Sequence, residues 1–172
     1  MVAHTAQQLD GWWGGVLDPF EGFGVLLAIV VVGLLAGISS HAGREPWIPT
    51  SAFMIGVMGG LVVAAAGFQP SVAQTLMIGA ALVGAALLSV DPPRISNSLP
   101  FTALAIGALA GVTVGVNNAD QLGGRFIIGL LFTTAIVLAC SSVAGAGIGR
   151  SVAARRTVAV LASITAVGLL LG

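Results

Sequence analysis

The chain has 172 residues, 57% hydrophobic and 7% charged, with a mean hydropathy of +1.07. A soluble domain carries about 25% charged residues to clothe its surface in groups that water solvates; this chain has too few, so its surface must face hydrocarbon. Six basic residues, all arginine, balance six acids, which leaves no basic patch for nucleic acid, and the lone Cys140 excludes a disulfide framework or a thiolate metal cluster.

Along the chain, the first twenty residues lack the basic-then-apolar order of a signal peptide. Val2-Ala3 before His4 is compatible with the stub of a small-residue cleavage site. Six apolar stretches follow, at about residues 22–39, 48–67, 71–90, 99–116, 126–143 and 154–172. Each is about 17–21 residues, the length a helix needs to cross a hydrocarbon core of about 30 Å. The breaks between them are His41-Ala-Gly-Arg-Glu-Pro46, a turn at Gln69-Pro70, Asp91-Pro-Pro-Arg94, Asn117-Asn-Ala-Asp-Gln121 and Gly145-Ala-Gly-Ile-Gly149. Two prolines cannot continue a helix, and the glycine-rich run reads as a flexible loop. The ten-residue polar/apolar alternation of a membrane barrel is missing. The expectation is an all-α polytopic membrane protein, one domain over residues 1–172, built as a bundle of six transmembrane helices.

Glycine, at 25 residues, has about twice its usual share. Much of it recurs every four residues: Gly33/Gly37, Gly56/Gly60 and Gly107/Gly111/Gly115. That spacing puts small residues on one helix face, where a neighbouring backbone can approach within van der Waals range. Packing within the bundle is the expected use, and self-association through the same faces is the alternative.

Arginine sets the orientation. Arg44, Arg94, Arg150, Arg155 and Arg156 fall in or beside the odd-numbered loops, and only Arg125 falls on the other side. The positive-inside bias puts both termini outside, in a bacterial inner membrane. The acids Asp10, Asp18, Glu21 and Asp120 then lie on the outer side, while His4 and His41 lie on opposite sides and cannot form one site. Trp12, Trp13 and Trp47 flank the spans as interfacial residues do. The polar groups inside spans (Gln74, Thr75, Thr113, Thr133, Thr134, Ser141, Ser142) read as partners for backbone carbonyls or neighbouring helices. No enzyme motif is present, and no ionisable residue lies near the middle of a span.

The stretch from Gly11-Trp-Trp-Gly-Gly through Asp18-Pro19-Phe-Glu21-Gly22-Phe-Gly24-Val25 and on to Gly33-Leu-Leu-Ala-Gly37 resembles the HupE/UreJ family. These are six-helix membrane proteins, many regarded as permeases for nickel or related transition metals. The family pattern has a His-Pro-x-x-Gly-x-Asp-His motif opening the first helix, and Pro19 and Gly22 match in place. Gly129-Leu-Leu-Phe-Thr-Thr134 is similar to the family's Gly-Phe-x-x-Ala-Thr. Asp18 stands at the motif's first His, and Gly24-Val25 at its Asp-His pair. The family's His-Gly-x-Ala-His-Gly segment reads here as Val114-Gly-Val-Asn-Asn-Ala119.

Imidazole nitrogen suits nickel, whereas carboxylate and carbonyl oxygen suit harder ions. The oxygen-rich remainder on the outer side makes Asp18, Glu21 and Asp120 candidate ligands for a divalent cation, and Asn117 and Asn118 candidate substrate contacts. Acids at a helix start are also stabilised by its dipole, and Asn is an ordinary turn residue. Two functions follow. One is a metal-cation permease in which Asp18, Glu21 and Asp120 converge. The other is a non-transporting accessory subunit that packs against other membrane subunits.

Overall fold

The computed structural model describes residues 11–68, 70–95 and 97–171. His4, Asp10 and the Val2-Ala3 site lie outside these residues, and so does Gln69 of the expected turn. The described residues form helices and no strand: α1 (Trp12–Glu21), α2 (Phe23–Ser39), α3 (Trp47–Ala65), α4 (Ala73–Leu87), α5 (Pro92–Ile95), α6 (Leu99–Asn117), α7 (Gly124–Ile148) and α8 (Val152–Leu171). Short 3-10 turns occupy Ser40–Ala42 and Ala119–Gln121. Among the described residues five helices, α2 taken together with the turn that follows it, are long and apolar enough to cross a membrane; a further apolar one, α4, has 15 residues.

The four-residue glycine spacing builds the two tightest seams. On the first, α3 and α6 run parallel: Gly107 rests on the Phe53 carbonyl, Gly111 on that of Val57, and Gly115 on the Ala64 side chain. Reciprocally, Gly56 and Gly60 rest on the carbonyls of Leu104 and Ala108. On the second seam, α2 and α7 are parallel, with Gly33 against Leu138 and Ser141, and Gly37 against Ser142. In hydrocarbon no hydrophobic force draws helices together, so this backbone-to-backbone approach supplies much of the cohesion. These glycines are therefore used inside the bundle.

α2 is the central helix, most of its residues being buried, and α8 is peripheral, with only Arg155, Ala159 and Ala166 buried. α4 bridges them, running parallel to α2 (Gly24 beside Ile78, Gly84 beside Val31) and antiparallel to α8. The α4–α8 junction holds a buried arginine. Arg155, 5% exposed, donates from Nη1 to the Val90 carbonyl at 3.1 Å and places Nη2 3.6 Å from the Asp91 carboxylate. A cation there answers the unpaired carbonyls at the end of α4.

Since α2, α4 and α7 run one way and α3, α6 and α8 the other, Arg44, Arg94, Arg150, Arg155 and Arg156 share one end of the bundle. Arg125, beside Gly11, is at the other.

Two features differ from the sequence reading. The lead-in before residue 22 is a helix, α1, laid against the start of α7: Gly15 sits on the Phe126 carbonyl and Gly129 on that of Trp12. The Trp12 and Phe132 rings meet at 5.6 Å between centroids. Pro19, which removes one intrahelical bond, sits in the last turns of α1, and Gly22 breaks the helix from α2. The second difference is that Gly145-Ala-Gly-Ile148 is the last turn of α7 rather than a loop. Gly145 is needed there because it lies on the Leu34 carbonyl, and His41 Nε2–H donates to the Ala146 carbonyl at 2.7 Å.

Candidate cation site

The end of the bundle opposite the five arginines holds a cavity of about 210 Å³ lined by Asp18, Glu21, Gly22, Val25, Val114, Asn117 and Asn118. Its walls are the end of α1, the start of α2 and the end of α6. The break at Gly22 positions the first two acids, since α1 ends on its last turn with Asp18 facing α6 and Glu21 exposed. The Asn118 Nδ2–H donates to Asp18 Oδ1 at 2.6 Å and to the Val114 carbonyl at 3.0 Å. A single amide thus ties α1 to the C-terminal turn of α6.

Asp18 is half-buried, and its carboxyl pKa is pushed up from 3.8 to about 6. Burial is the main cause, because a low-dielectric wall penalises the charged form. The Asn118 hydrogen bond works against the rise and the neighbouring Glu21 carboxylate adds to it. A carboxylate that gives up water for one amide partner is short of positive charge, and a cation entering the cavity would supply it.

Next to this cavity is one of about 160 Å³ that shares Glu21, Gly22, Val25 and Asn117, and adds Gln74, Met77, Ile78 and Thr113. Thr113 donates to the Leu109 carbonyl at 2.8 Å and reaches the Ala73 carbonyl at 3.4 Å. In the sequence Gln74 and Thr113 read as partners for backbone carbonyls or neighbouring helices, and Thr113 is both. The only sign of their place here was their position at the same end of their spans as Asn117.

Asp120 lies in the 3-10 turn after α6, is exposed, and does not line either cavity. Among the described residues no three or more His, Cys, Asp or Glu side chains come together as a metal-holding group. The structure therefore brings Asp18, Glu21, Asn117 and Asn118 around one space and leaves Asp120 beside it.

A family model described as "HupE / UreJ protein" matches residues 1–171. The chain belongs to the HupE/UreJ family. Protein HupE of Rhizobium leguminosarum bv. viciae is 34% identical over 109 residues, covering 63% of this chain and 54% of that protein. The match spans about half the length of this curated relative. No solved structure matches.

Family membership gives the cavity a second meaning. In the HupE/UreJ pattern set out above, histidine falls at the positions of Asp18, Val25, Val114 and Asn118, and all four line the same cavity.

Proposed function

We propose that this HupE/UreJ protein is a membrane permease for a divalent metal cation, which enters at the Asp18–Asn118 cavity. The convergence of the four positions that carry histidine in the family pattern supports this reading, and Glu21 adds a second carboxylate at the same mouth. The donor set is oxygen: the carboxylates of Asp18 and Glu21 with the amide oxygen of Asn117, while Asn118 holds Asp18 in place through its Nδ2–H. Such a set favours magnesium, calcium or manganese over nickel. The chain acts as a carrier rather than an enzyme. Uptake of radioactive manganese into cells expressing the protein tests it. Asp18→Asn should reduce uptake about tenfold or more, the scale on which a lost charged ligand or its support weakens a metal site. Asp120→Asn, outside the cavity, should leave it within about twofold. Equal uptake by wild type and Asp18→Asn would sink the reading.

A second reading, a non-transporting accessory subunit, is favoured by spans that carry no Asp, Glu, Lys, Arg or His near their middle. It requires stoichiometric partner subunits when the protein is purified from its native membrane, together with unchanged metal uptake when the gene is removed.

The clustering of five arginines at one end supports a cytoplasmic-membrane orientation with that end inside and both termini outside. Single-cysteine variants at positions 44 and 118 in a Cys140→Ser background should react with an impermeant maleimide from outside at 118 only. Labelling at 44 in intact cells would reverse the orientation.

A further inference from the structure

The glycine contacts sort the helices into two bodies. Among the described residues, every glycine whose Cβ would meet the backbone of another helix lies within the pair α3–α6 or within the trio α1–α2–α7. Backbone against backbone leaves no side chain to yield, so each set resists shear and holds together as a body. Between the sets the contact is of another kind. α2 and α6 meet through an apolar cluster that takes Ala28, Ile29 and Val32 from one and Ala103, Ile106 and Ala110 from the other, all buried. Packed side chains slide and change rotamer where interlocked backbones do not. α4 touches both sets, again through side chains: Gly84 meets those of Val31 and Ile106.

Among the described residues, one hydrogen bond joins the two sets directly. It runs from Asn118, just past α6, to Asp18 in α1, inside the cation cavity. An ion in that cavity reaches the trio through Asp18 and Glu21 and the pair through Asn117, and it competes with the Asn118 N–H for the Asp18 carboxylate. Its affinity therefore depends on how the two sets stand, which is the condition for a ligand to shift one against the other.

The same interface holds a second cavity at its arginine end. A space of about 110 Å³ lies between Ser39 at the end of α2 and Pro49 and Leu99 at the starts of α3 and α6. Arg44 donates to the Asn97 amide oxygen at its rim, and Glu45 stands beside them. Both partners of that bond belong to the lead-ins of α3 and α6, so it travels with the pair. Ser39, on the other side, gives its hydroxyl hydrogen to the Ala36 carbonyl of its own helix. From Val25 to Ser39 is 14 residues, about 21 Å of helix, and buried apolar side chains of α2 fill the stretch between the two cavities. An ion crosses that stretch only if the sets part.

Resting on the permease reading above, we propose that the α3–α6 pair rocks as a rigid body against α1–α2–α7, so that a cation taken up at Asp18 leaves through the cavity between Ser39 and Asn97. One end opens as the other closes, and Glu45 is the carboxylate that meets the ion at the exit.

Ser39→Cys and Asn97→Cys in a Cys140→Ser background put one thiol on each side of the exit. Bridging them in the full-length protein with a membrane-permeant bis-methanethiosulfonate should stop manganese uptake into proteoliposomes, and dithiothreitol should restore it. The same bridge between His41→Cys and Ala146→Cys, both on the side of the trio and joined in the native protein by a hydrogen bond, should leave uptake as it was. Uptake that continues through the bridge at the exit would overturn the proposal. A second measurement needs no uptake. Ser39 is 2% exposed, and the thiol of Ser39→Cys should react faster with N-ethylmaleimide when manganese is present; Asp18→Asn should remove that acceleration. If manganese raises the melting temperature of Ser39→Cys yet leaves its thiol rate unchanged, the ion binds at the mouth without moving the helices, so the cation cavity stands and the rocking is ruled out. If wild type shows neither uptake nor a melting shift, the permease reading fails first and the proposal with it.

Discussion

Gly111→Ala is expected to lower the melting temperature of the purified protein in detergent by about 10 °C or more, while Gly59→Ala leaves it unchanged or slightly higher. The added atom is the same single methyl group in both. At Gly111 it would overlap the Val57 carbonyl oxygen and press on the Leu61 amide, both of them backbone atoms of α3. No side chain can swing away to make room, so α3 and α6 must separate along their whole seam. The four neighbouring contacts, at Gly56, Gly60, Gly107 and Gly115, depend on the same separation and loosen with it. At Gly59 a Cβ meets nothing within 4 Å, and alanine's better helix propensity, about 0.8–1 kcal/mol over glycine, is the only effect left. Differential scanning fluorimetry of the two variants side by side checks this. Equal melting temperatures would mean that the α3–α6 seam does not hold the bundle together.

Those seams were legible in the sequence because small residues every fourth position have few other uses in an apolar helix. The arginine asymmetry was legible for a similar reason: charge is so scarce here that each arginine marks a bundle end. The signal failed where glycine had two meanings. In the run from Gly145 to Gly149 it suggested a loop, whereas Gly145 is there to let α7 pass the Leu34 carbonyl, and only a partner helix reveals that. α1 carries little helix signal in the sequence, since its Gly11-Trp-Trp-Gly-Gly start and Pro19 are poor helix formers, and what holds it is the interlock of Gly15 and Gly129 with α7 and α1 backbone.

For the candidate site, resemblance to the family pattern picked out Asp18 and Asn118, but neither pattern nor spacing could tell that they hydrogen-bond across 100 residues. Asp120 groups with them in the sequence because it is acidic and follows the same helix. The 3-10 turn at Ala119–Gln121 carries it past the cavity instead.

Asp18→Asn should stabilise the protein at neutral pH and remove its response to metal. The folded-state pKa of about 6 lies above the ordinary value of 3.8, so between these values the folded protein holds a proton that the unfolded chain has released. Wild-type stability therefore falls as pH rises from about 4 to about 6 and is level above that. A shift of about two units corresponds to at most about 3 kcal/mol, and the partial exposure of Asp18 brings the expected loss to about 1–3 kcal/mol, a few degrees of melting temperature. Asparagine keeps an oxygen for the Asn118 amide to donate to but carries no charge to bury. The variant should then match wild type at pH 4 and melt a few degrees higher at pH 7.5. Binding of a cation to the Asp18 carboxylate reverses the sign of that burial cost. Manganese at about 100 times its dissociation constant adds about 2.7 kcal/mol to whichever form binds it. Wild type at pH 7.5 should gain this and Asp18→Asn should not, and the gain should shrink at pH 5 as protons compete for the carboxylate. A pH response without a metal response would keep the strained carboxylate and remove the ion, which is the pattern the accessory-subunit reading requires. If Asp18→Asn melts with wild type at both pH values, the carboxylate is not strained, and the cavity loses its physical argument for a cation.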